Sequence, residues 1–212
     1  DRLLPFIELW NQQFTESTSP NSQFPIHNSQ FAPPPLLSIN TWRSKVCDTV
    51  LGVGGDILND MSGLPTPENA RIAATHSAAL IIMHTVGEPK QDHRHTIHPN
   101  IMEIMIEYFQ QKLELVMSSG LPEESIILDP GIEFAKQLED DITIYSELSE
   151  LNQFKRPVLL PVSRKSVIDH VLDIPQPELR DAGTIACAVR GACKLNAPIL
   201  RVHNVAAIAK TM

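Results

Sequence analysis

Short apolar runs alternate with longer amphipathic segments through most of the chain. The longest amphipathic segment, residues 100–118, carries apolar side chains at intervals of three and four residues and is followed by Gly120, which predicts a helix that ends there. The apolar runs are short and nearly continuous, which is typical of strands that are buried on both faces. Six strands are predicted, at residues 36–40, 57–61, 80–85, 126–128, 158–162 and 199–202.

Helices are predicted before, between and after these strands. They comprise an opening helix of about a dozen residues and segments at residues 42–51, 68–77, 100–118, 141–151, from near residue 164, 178–195 and after residue 202. The alternation indicates an α/β chain with a parallel sheet, either a doubly wound open sheet or a β/α barrel. A complete (β/α)8 barrel has eight strands and typically about 250 residues. Six strands in 212 residues would leave such a barrel incomplete.

One domain over residues 1–212 accommodates this pattern, with a single interruption. Residues 15–35 are rich in Ser, Asn, Gln and Pro and have no apolar period, which predicts a disordered or loop insertion. The residues before it lack an initiator methionine and have the spacing of a helix that is already under way. We therefore expect the sequence to begin inside a longer protein.

Composition narrows the class of protein. With 42% hydrophobic and 20% charged residues, the chain is typical of a globular protein with a sizeable core. A net charge of −8 argues against a nucleic-acid-binding surface, and no apolar run reaches the roughly 18 residues of a membrane span. Three cysteines cannot all pair, so reduced thiols in an intracellular compartment are expected.

Polar side chains follow three of the later strands. Asp129 stands between a predicted strand and a Pro-Gly turn, and Arg164 and Lys165 follow the next strand. Arg201 and His203 are two residues apart at the last strand, so on one strand they would share a face. Because the carboxyl ends of parallel strands meet at one edge, these groups are expected to line a ligand site there.

The chain resembles the dihydropteroate synthase family in three segments, LDPGIEFAK at residues 128–136, VSRKS at 162–166 and LRVHN at 200–204. The resemblance extends to Asn59 before Asp60 and to Met83 before His84. It implies a (β/α)8 TIM barrel with about six of its eight strands present, since the family's first two strands and their loops have no counterpart here. The implied reaction condenses 6-hydroxymethyl-7,8-dihydropterin diphosphate with p-aminobenzoate to 7,8-dihydropteroate and pyrophosphate in folate biosynthesis.

The resemblance also implies roles for ten residues at the strand ends. Those that would bind the pterin are Asn40, Asn59, Met83, Asp129 and Lys165. Those that would bind pyrophosphate are Arg201 and His203, and those that would bind p-aminobenzoate are Phe134, Arg164 and Ser166. The catalytic groups among them would be Lys165, Arg201, His203 and Asp129.

Cofactor and partners follow from the same resemblance. Mg²⁺ is implied as an ion that binds with the substrate diphosphate, although its usual protein ligand belongs to the loop without a counterpart. The expected partners are the pterin diphosphate and p-aminobenzoate, with no nucleic acid and no membrane. A homodimer or a fusion to a pterin kinase domain is possible, and the compartment would be the cytoplasm or, in a eukaryote, the mitochondrion.

Two departures from the family pattern keep alternatives open. Asn40 stands where the family has an acidic residue, and Glu133 stands where it has a glycine. One alternative is therefore a catalytically impaired pterin-binding remnant or structural module of a larger folate enzyme. The other is a methyltetrahydrofolate-dependent methyltransferase, against which Arg201 and His203 speak because methyl transfer releases no pyrophosphate.

No metal-ligating residue is predicted. His93, His95 and His98 lie close together, but their spacing is not that of a zinc site and Arg94 stands between two of them. A solvated loop is the better interpretation of this segment.

Overall fold

The computed structural model describes residues 3–16, 35–89, 91 and 96–212. Six parallel strands form one sheet in which each strand pairs with the next along the chain. The strands are β1 (Ser38–Asn40), β2 (Ile57–Asp60), β3 (Ala79–Met83), β4 (Ile126–Asp129), β5 (Val158–Leu160) and β6 (Pro198–Leu200). This sequential order is that of a β/α barrel rather than a doubly wound sheet, and six strands make an incomplete barrel, as predicted.

Eight α-helices are described around the sheet. They are α1 (Leu4–Glu16), α2 (Ser44–Gly52), α3 (Glu68–Thr75), α4 (Ile101–Ser118), α5 (Leu138–Ser146), α6 (Ser166–Leu172), α7 (Asp181–Lys194) and α8 (Val205–Thr211). Short 3-10 helices occur at Glu123–Ser125, Leu148–Phe154 and Pro177–Arg180. Within the described residues, no helix is both long and apolar enough to cross a membrane. The insertion predicted at residues 15–35 lies largely outside the described residues, as do His93 and His95.

Several predicted boundaries are wrong, among them the ends of the strands expected at residues 36–40, 80–85 and 158–162, each of which is about two residues shorter at one end. The helix expected at residues 141–151 begins earlier because Gln137 and Asp140 form a capping box, and its last part is a 3-10 helix. The helix expected at residues 178–195 starts with a 3-10 turn. The last strand ends at Leu200, because the backbone N–H of His203 donates to Ser163 Oγ instead of to a neighbouring strand.

The core has two layers, as strands buried on both faces require. On the outer face of the sheet, Leu58, Leu80, Ile126 and other fully buried side chains pack under the helices. On the inner face a smaller cluster consists of Ile81, Ile127 and Leu159, with Ile57 packed against it. This inner cluster, called the apolar floor below, lies under the side chains at the carboxyl ends of the strands.

Strand register determines which side chains stand above this floor. Asn40 pairs with Asn59, and Met83 pairs with Asp129. Successive side chains of a strand alternate between faces, so Asn59 shares the inner face with Ile57, Met83 with Ile81 and Asp129 with Ile127. Four of the predicted pterin-binding residues therefore lie on one face at one end of the sheet.

Candidate active site

Asp129 is the buried acid at the end of β4. Its side chain is 1% exposed, and its Oδ1 accepts a hydrogen bond from the backbone N–H of Gly131 at 2.8 Å. Burial raises the pKa of Asp129 to about 6, although the Gly131 bond and the positive charges of Arg201, Lys136 and Lys165 oppose the rise. Its Oδ2 is buried and has no partner among the described residues. One carboxylate oxygen is therefore available for a ligand donor.

The turn after Asp129 is closely packed. Gly131 has a φ of +64°, and a Cβ there would overlap the carbonyl oxygen of His84. The buried ammonium of Lys136 donates to three backbone carbonyls, those of His84 (3.2 Å), Gly131 (2.9 Å) and Phe134 (2.9 Å). Burial lowers the pKa of Lys136 to about 8, against the opposing charges of Asp141 and Asp129. Lys136 thus fixes the loop after β4 to the end of β3.

Asn59 provides a second buried acceptor on the inner face. It is 7% exposed, and its Oδ1 has no hydrogen-bond partner within the described parts of the chain. Met83, 3% exposed, supplies an apolar surface between Asn59 and Asp129 along the sheet, while Asn40 on the edge strand is exposed. Buried polar atoms are normally paired, so two open acceptors on one face indicate a site for a ligand with N–H donors.

Lys165 lies between the loops that follow β4 and β5. Its Nζ donates to the Ile132 carbonyl at 3.1 Å and lies 3.4 Å from Glu133 Oε2. The same ammonium stands 5.1 Å from the centre of the Phe134 ring, in a cation–π contact. Lys165 and Phe134 therefore form one surface beside Asp129.

Ser166 does not have a free hydroxyl. Its Oγ donates to Glu133 Oε1 at 2.8 Å, and the backbone N–H of Val167 donates to the same oxygen at 3.0 Å. Glu133 has a φ of 69°, in the left-handed region that glycine prefers. The glycine that the family has at this position fits that backbone.

Arg201 and His203 lie beyond β6, so the prediction that they share a face of one strand is wrong. Both side chains are exposed at the carboxyl end of the sheet. His203 Nδ1 lies 2.8 Å from Ser163 Oγ, which also accepts the His203 backbone N–H at 3.1 Å. Arg201 is close enough to Asp129 for its charge to lower the pKa of that carboxyl. Both residues lie at the carboxyl end of the sheet, as predicted, although neither belongs to the strand itself.

Arg164 is paired with an acidic side chain of α7. Its Nε and Nη2 donate to the two carboxylate oxygens of Asp181 at 2.8 and 3.2 Å. This bidentate pair raises the pKa of Arg164 and lowers the pKa of Asp181 to about 2, chiefly through the hydrogen bonds themselves. Its expected contact with a ligand therefore finds no support in the geometry.

Similarity to known proteins identifies the family. The family described as pterin binding enzyme matches residues 30–203. The chain belongs to the pterin-binding enzyme family. The chain is 40% identical over 175 residues to the dihydropteroate synthase of Synechocystis sp., a match that covers 82% of this chain and 60% of the relative. The corresponding values for the dihydropteroate synthase of Bacillus subtilis are 34%, 82% and 58%.

Solved structures agree with this family. The dihydropteroate synthase of Yersinia pestis, described as a sulfonamide drug complex, has a TM-score of 0.82 and 29% identity, covering 100% of this chain and 69% of that one. The Thermus thermophilus enzyme, described as a complex with 4-aminobenzoate, has a TM-score of 0.81 and 26% identity, covering 98% and 76%. The predicted resemblance and the incomplete TIM barrel are thereby confirmed. The chain spans about 60% of the length of the Synechocystis sp. and Bacillus subtilis relatives.

Sequence reasoning assigned no role to Lys136, Ser163 or Asp181. Lys136 stands at the end of the LDPGIEFAK segment that carries the resemblance, and its place in that segment was the available signal. Ser163 likewise stands in the VSRKS segment, whereas Asp181 belongs to no segment of the resemblance. The contacts of Ser163 with His203 and of Asp181 with Arg164 could not be predicted, because they arise only through the packing of separate loops and helices.

Proposed function

We propose that this chain forms the greater part of a dihydropteroate synthase. The reaction would join 6-hydroxymethyl-7,8-dihydropterin diphosphate and p-aminobenzoate to give 7,8-dihydropteroate and pyrophosphate. The observation that carries the proposal is the pair of buried, open acceptors, Asp129 Oδ2 and Asn59 Oδ1, above an apolar floor. A flat heteroaromatic ring with N–H donors along one edge fits such a site, because its faces are apolar and its edge is polar.

The pterin would bind through hydrogen bonds from its ring N–H and exocyclic amine to Asp129. With a pKa of about 6, this carboxyl is mostly ionised at neutral pH, so the contact is charge-assisted. Asn59 would pair with another polar position of the ring, and Met83 would contact its face. Lys165 would reach the carbonyl side of the ring from the neighbouring loop. Asn40, although exposed on the edge strand, remains in the proposal as a residue near the pterin methylene.

The diphosphate would lie towards Arg201 and His203. Both side chains are exposed at the carboxyl end of the sheet, where a guanidinium and an imidazole donor suit phosphate oxygens. If Ser163 donates to His203 Nδ1, the proton of the neutral ring is on Nε2, which then faces the ligand as a donor. These groups would stabilise negative charge as the carbon–oxygen bond to pyrophosphate breaks.

The p-aminobenzoate ring would lie beside Phe134 and the stem of Lys165, with Ser166 near its carboxylate. Its amine attacks the pterin methylene, the amine loses a proton, and pyrophosphate leaves, so the reaction needs no covalent bond to the protein. Positioning of the two substrates and stabilisation of the leaving group would supply the rate. The Thermus thermophilus relative described as a complex with 4-aminobenzoate supports this choice of second substrate.

In this proposal Mg²⁺ would bind together with the substrate diphosphate rather than in a site of its own among the described residues. They contain no group of three or more His, Cys, Asp or Glu side chains that could hold a metal ion. We therefore derive no step through this ion.

Three further properties also remain proposals: formation of a homodimer, an intracellular location in the cytoplasm or mitochondrion, and fusion to a pterin kinase. One relative, from Haloferax volcanii, is named a probable bifunctional folylpolyglutamate synthase/dihydropteroate synthase.

Calorimetric titration of the chain with the dihydropterin diphosphate, with and without Mg²⁺, tests the proposal. Asp129→Asn should weaken binding at least tenfold, about 1.4 kcal/mol, because the amide cannot accept two charge-assisted bonds. Glu124→Gln is the matched control, since it removes an exposed carboxylate before the other end of β4. Absence of pterin binding would reject the proposal.

Addition of p-aminobenzoate then separates the enzyme from the remnant. Formation of dihydropteroate supports the enzyme, whereas pterin binding without product favours the catalytically impaired module. The specific observation in favour of the module is that the Ser166 hydroxyl already donates to the Glu133 carboxylate and is therefore not free for the carboxylate of p-aminobenzoate.

A further inference from the structure

The carboxylate of Glu133 occupies a set of hydrogen-bond donors at the start of α6. Oε1 accepts from Ser166 Oγ at 2.8 Å and from the Val167 N–H at 3.0 Å, and Oε2 lies 3.4 Å from Lys165 Nζ. The side chain is 26% exposed, so the arrangement is only partly open to solvent. Three donors from one loop thus surround a carboxylate that belongs to the protein itself.

The backbone of Glu133 is in a conformation that side chains other than glycine rarely adopt. Its φ is 69°, and its own N–H donates to Asp141 Oδ1 at 3.0 Å. A strained backbone persists only where surrounding contacts compensate for it. Here the compensating contacts are the three donors, so the side chain is fixed rather than free to leave.

The same donors lie where the second substrate is proposed to bind. Lys165, which faces Glu133, also stands over the Phe134 ring, and Ser166 is the next residue. A ligand carboxylate placed beside Phe134 would need these donors and would meet the negative charges of Glu133 and Asp141. Arg164 does not supply a second cation there, because its guanidinium pairs with Asp181.

We propose that Glu133 is a specificity-determining residue which acts as a resident carboxylate in the subsite of the second substrate. It takes the donors that an anionic arylamine requires, so it lowers the affinity of the site for p-aminobenzoate more than that for an uncharged arylamine of the same shape. The inference rests on the proposed function, because it concerns the second substrate of that reaction. It adds a selectivity that follows from a residue of this chain.

Two ligands of the same shape and different charge test the inference. The full chain is first saturated with 6-hydroxymethyl-7,8-dihydropterin and Mg²⁺-pyrophosphate, and is then titrated with p-aminobenzoate or with its uncharged amide, p-aminobenzamide. Glu133→Gly, which frees the donors, should raise the affinity for p-aminobenzoate at least tenfold, and Glu133→Gln, which removes only the negative charge, should raise it by a smaller factor. Both variants should change the affinity for p-aminobenzamide less than threefold. A purely structural role of Glu133 would change both affinities alike.

Controls keep the test decisive. Glu139→Gln removes an exposed carboxylate in the first turn of α5 and should change neither affinity. Glu133→Gln retains an amide oxygen for Ser166 and Val167 and so preserves the loop, and if Glu133→Gly fails to fold it still shows whether removal of the negative charge favours p-aminobenzoate over p-aminobenzamide.

The outcomes separate this inference from the proposed function. Equal p-aminobenzoate affinity in the original chain and both variants overturns the inference. If the chain binds the pterin and neither variant binds p-aminobenzoate, the donors are not a substrate subsite; the inference is overturned and the pterin site stands. If the chain does not bind the pterin, the proposed function fails, and the inference fails with it.

Discussion

Replacement of Asp129 by asparagine should change how the stability of the protein depends on pH. The Asp129 side chain is 1% exposed, and burial raises its pKa from 3.8 to about 6. Asparagine retains an oxygen that can accept the Gly131 N–H but does not titrate. The difference in free energy of unfolding between the two proteins is therefore compared at two pH values, so that any effect of the substitution that is independent of pH cancels.

The magnitude follows from the difference between the pKa of Asp129 in the folded chain and its pKa in the unfolded chain. A tenfold change in an ionisation constant corresponds to about 1.4 kcal/mol, so ionising this buried carboxyl costs the folded state about 3 kcal/mol. As pH rises, the unfolded chain loses the proton near 3.8 and the folded chain near 6. The folded-state pKa is raised, so the contribution of Asp129 to stability is complete below the unfolded value and is lost between the two.

Urea unfolding of both proteins at about pH 4 and about pH 8 measures the effect. The free energy of unfolding of Asp129→Asn minus that of the original chain should rise by about 2 to 3 kcal/mol between these conditions. Glu124→Gln, which removes an exposed carboxylate, should give a nearly constant difference. A constant difference for Asp129→Asn would refute the argument that the carboxyl is buried with one oxygen unpaired.

Two further substitutions should change the stability of the protein, and one labelling reaction should distinguish its cysteines. Gly131→Ala should lower the free energy of unfolding by about 2 kcal/mol or more, because the methyl group would overlap the His84 carbonyl; an unchanged urea midpoint would contradict this close approach. Tyr108→Phe should lower it by about 1 to 2 kcal/mol, since the hydroxyl lies 2.8 and 2.9 Å from two backbone carbonyls; equal melting curves would count against these bonds. The exposed Cys193 should react rapidly with a thiol reagent, whereas Cys47, buried and with its pKa raised to about 12 by burial, should react only on unfolding; equal labelling rates by mass spectrometry would disprove the difference.

The sheet was predictable because local pattern and tertiary environment agree in it. The run at Ile126–Asp129 is apolar up to Asp129 and buried throughout, so its period and its position both indicate a central strand. The end of β6 was less predictable. His203 leaves the strand because its N–H finds Ser163, a residue 40 positions earlier, and no local pattern encodes that contact.

The candidate site also contains some residues whose position could be predicted from the sequence and others whose position could not. Asp129 and Lys165 could be predicted because Asp129 ends β4 and Lys165 stands in the loop after β5, and parallel strands bring their carboxyl ends together. The direction of Arg164 could not, because it depends on Asp181, 17 residues away on another helix. Long, charged side chains have several rotamers of similar energy, so the partner that packing supplies decides where the charge lies.

Asp129 and Glu133 show why the geometry of a carboxylate is more informative than its presence in a motif. Both acids stand at the carboxyl end of β4, Asp129 as its last residue and Glu133 in the loop that follows, and both are held at a cost, one by burial and the other by a left-handed backbone. Asp129 Oδ2 has no partner in the described structure, whereas Glu133 has already found hydroxyl, amide and ammonium donors within the chain. A ligand that donates to an unsatisfied buried acceptor lowers the free energy of the complex, whereas a satisfied acceptor must first lose its existing hydrogen bonds. The two halves of the site should therefore differ in their response to ligand: the Asp129 side is prepared for a donor-rich ring, and the Glu133 side resists a second carboxylate.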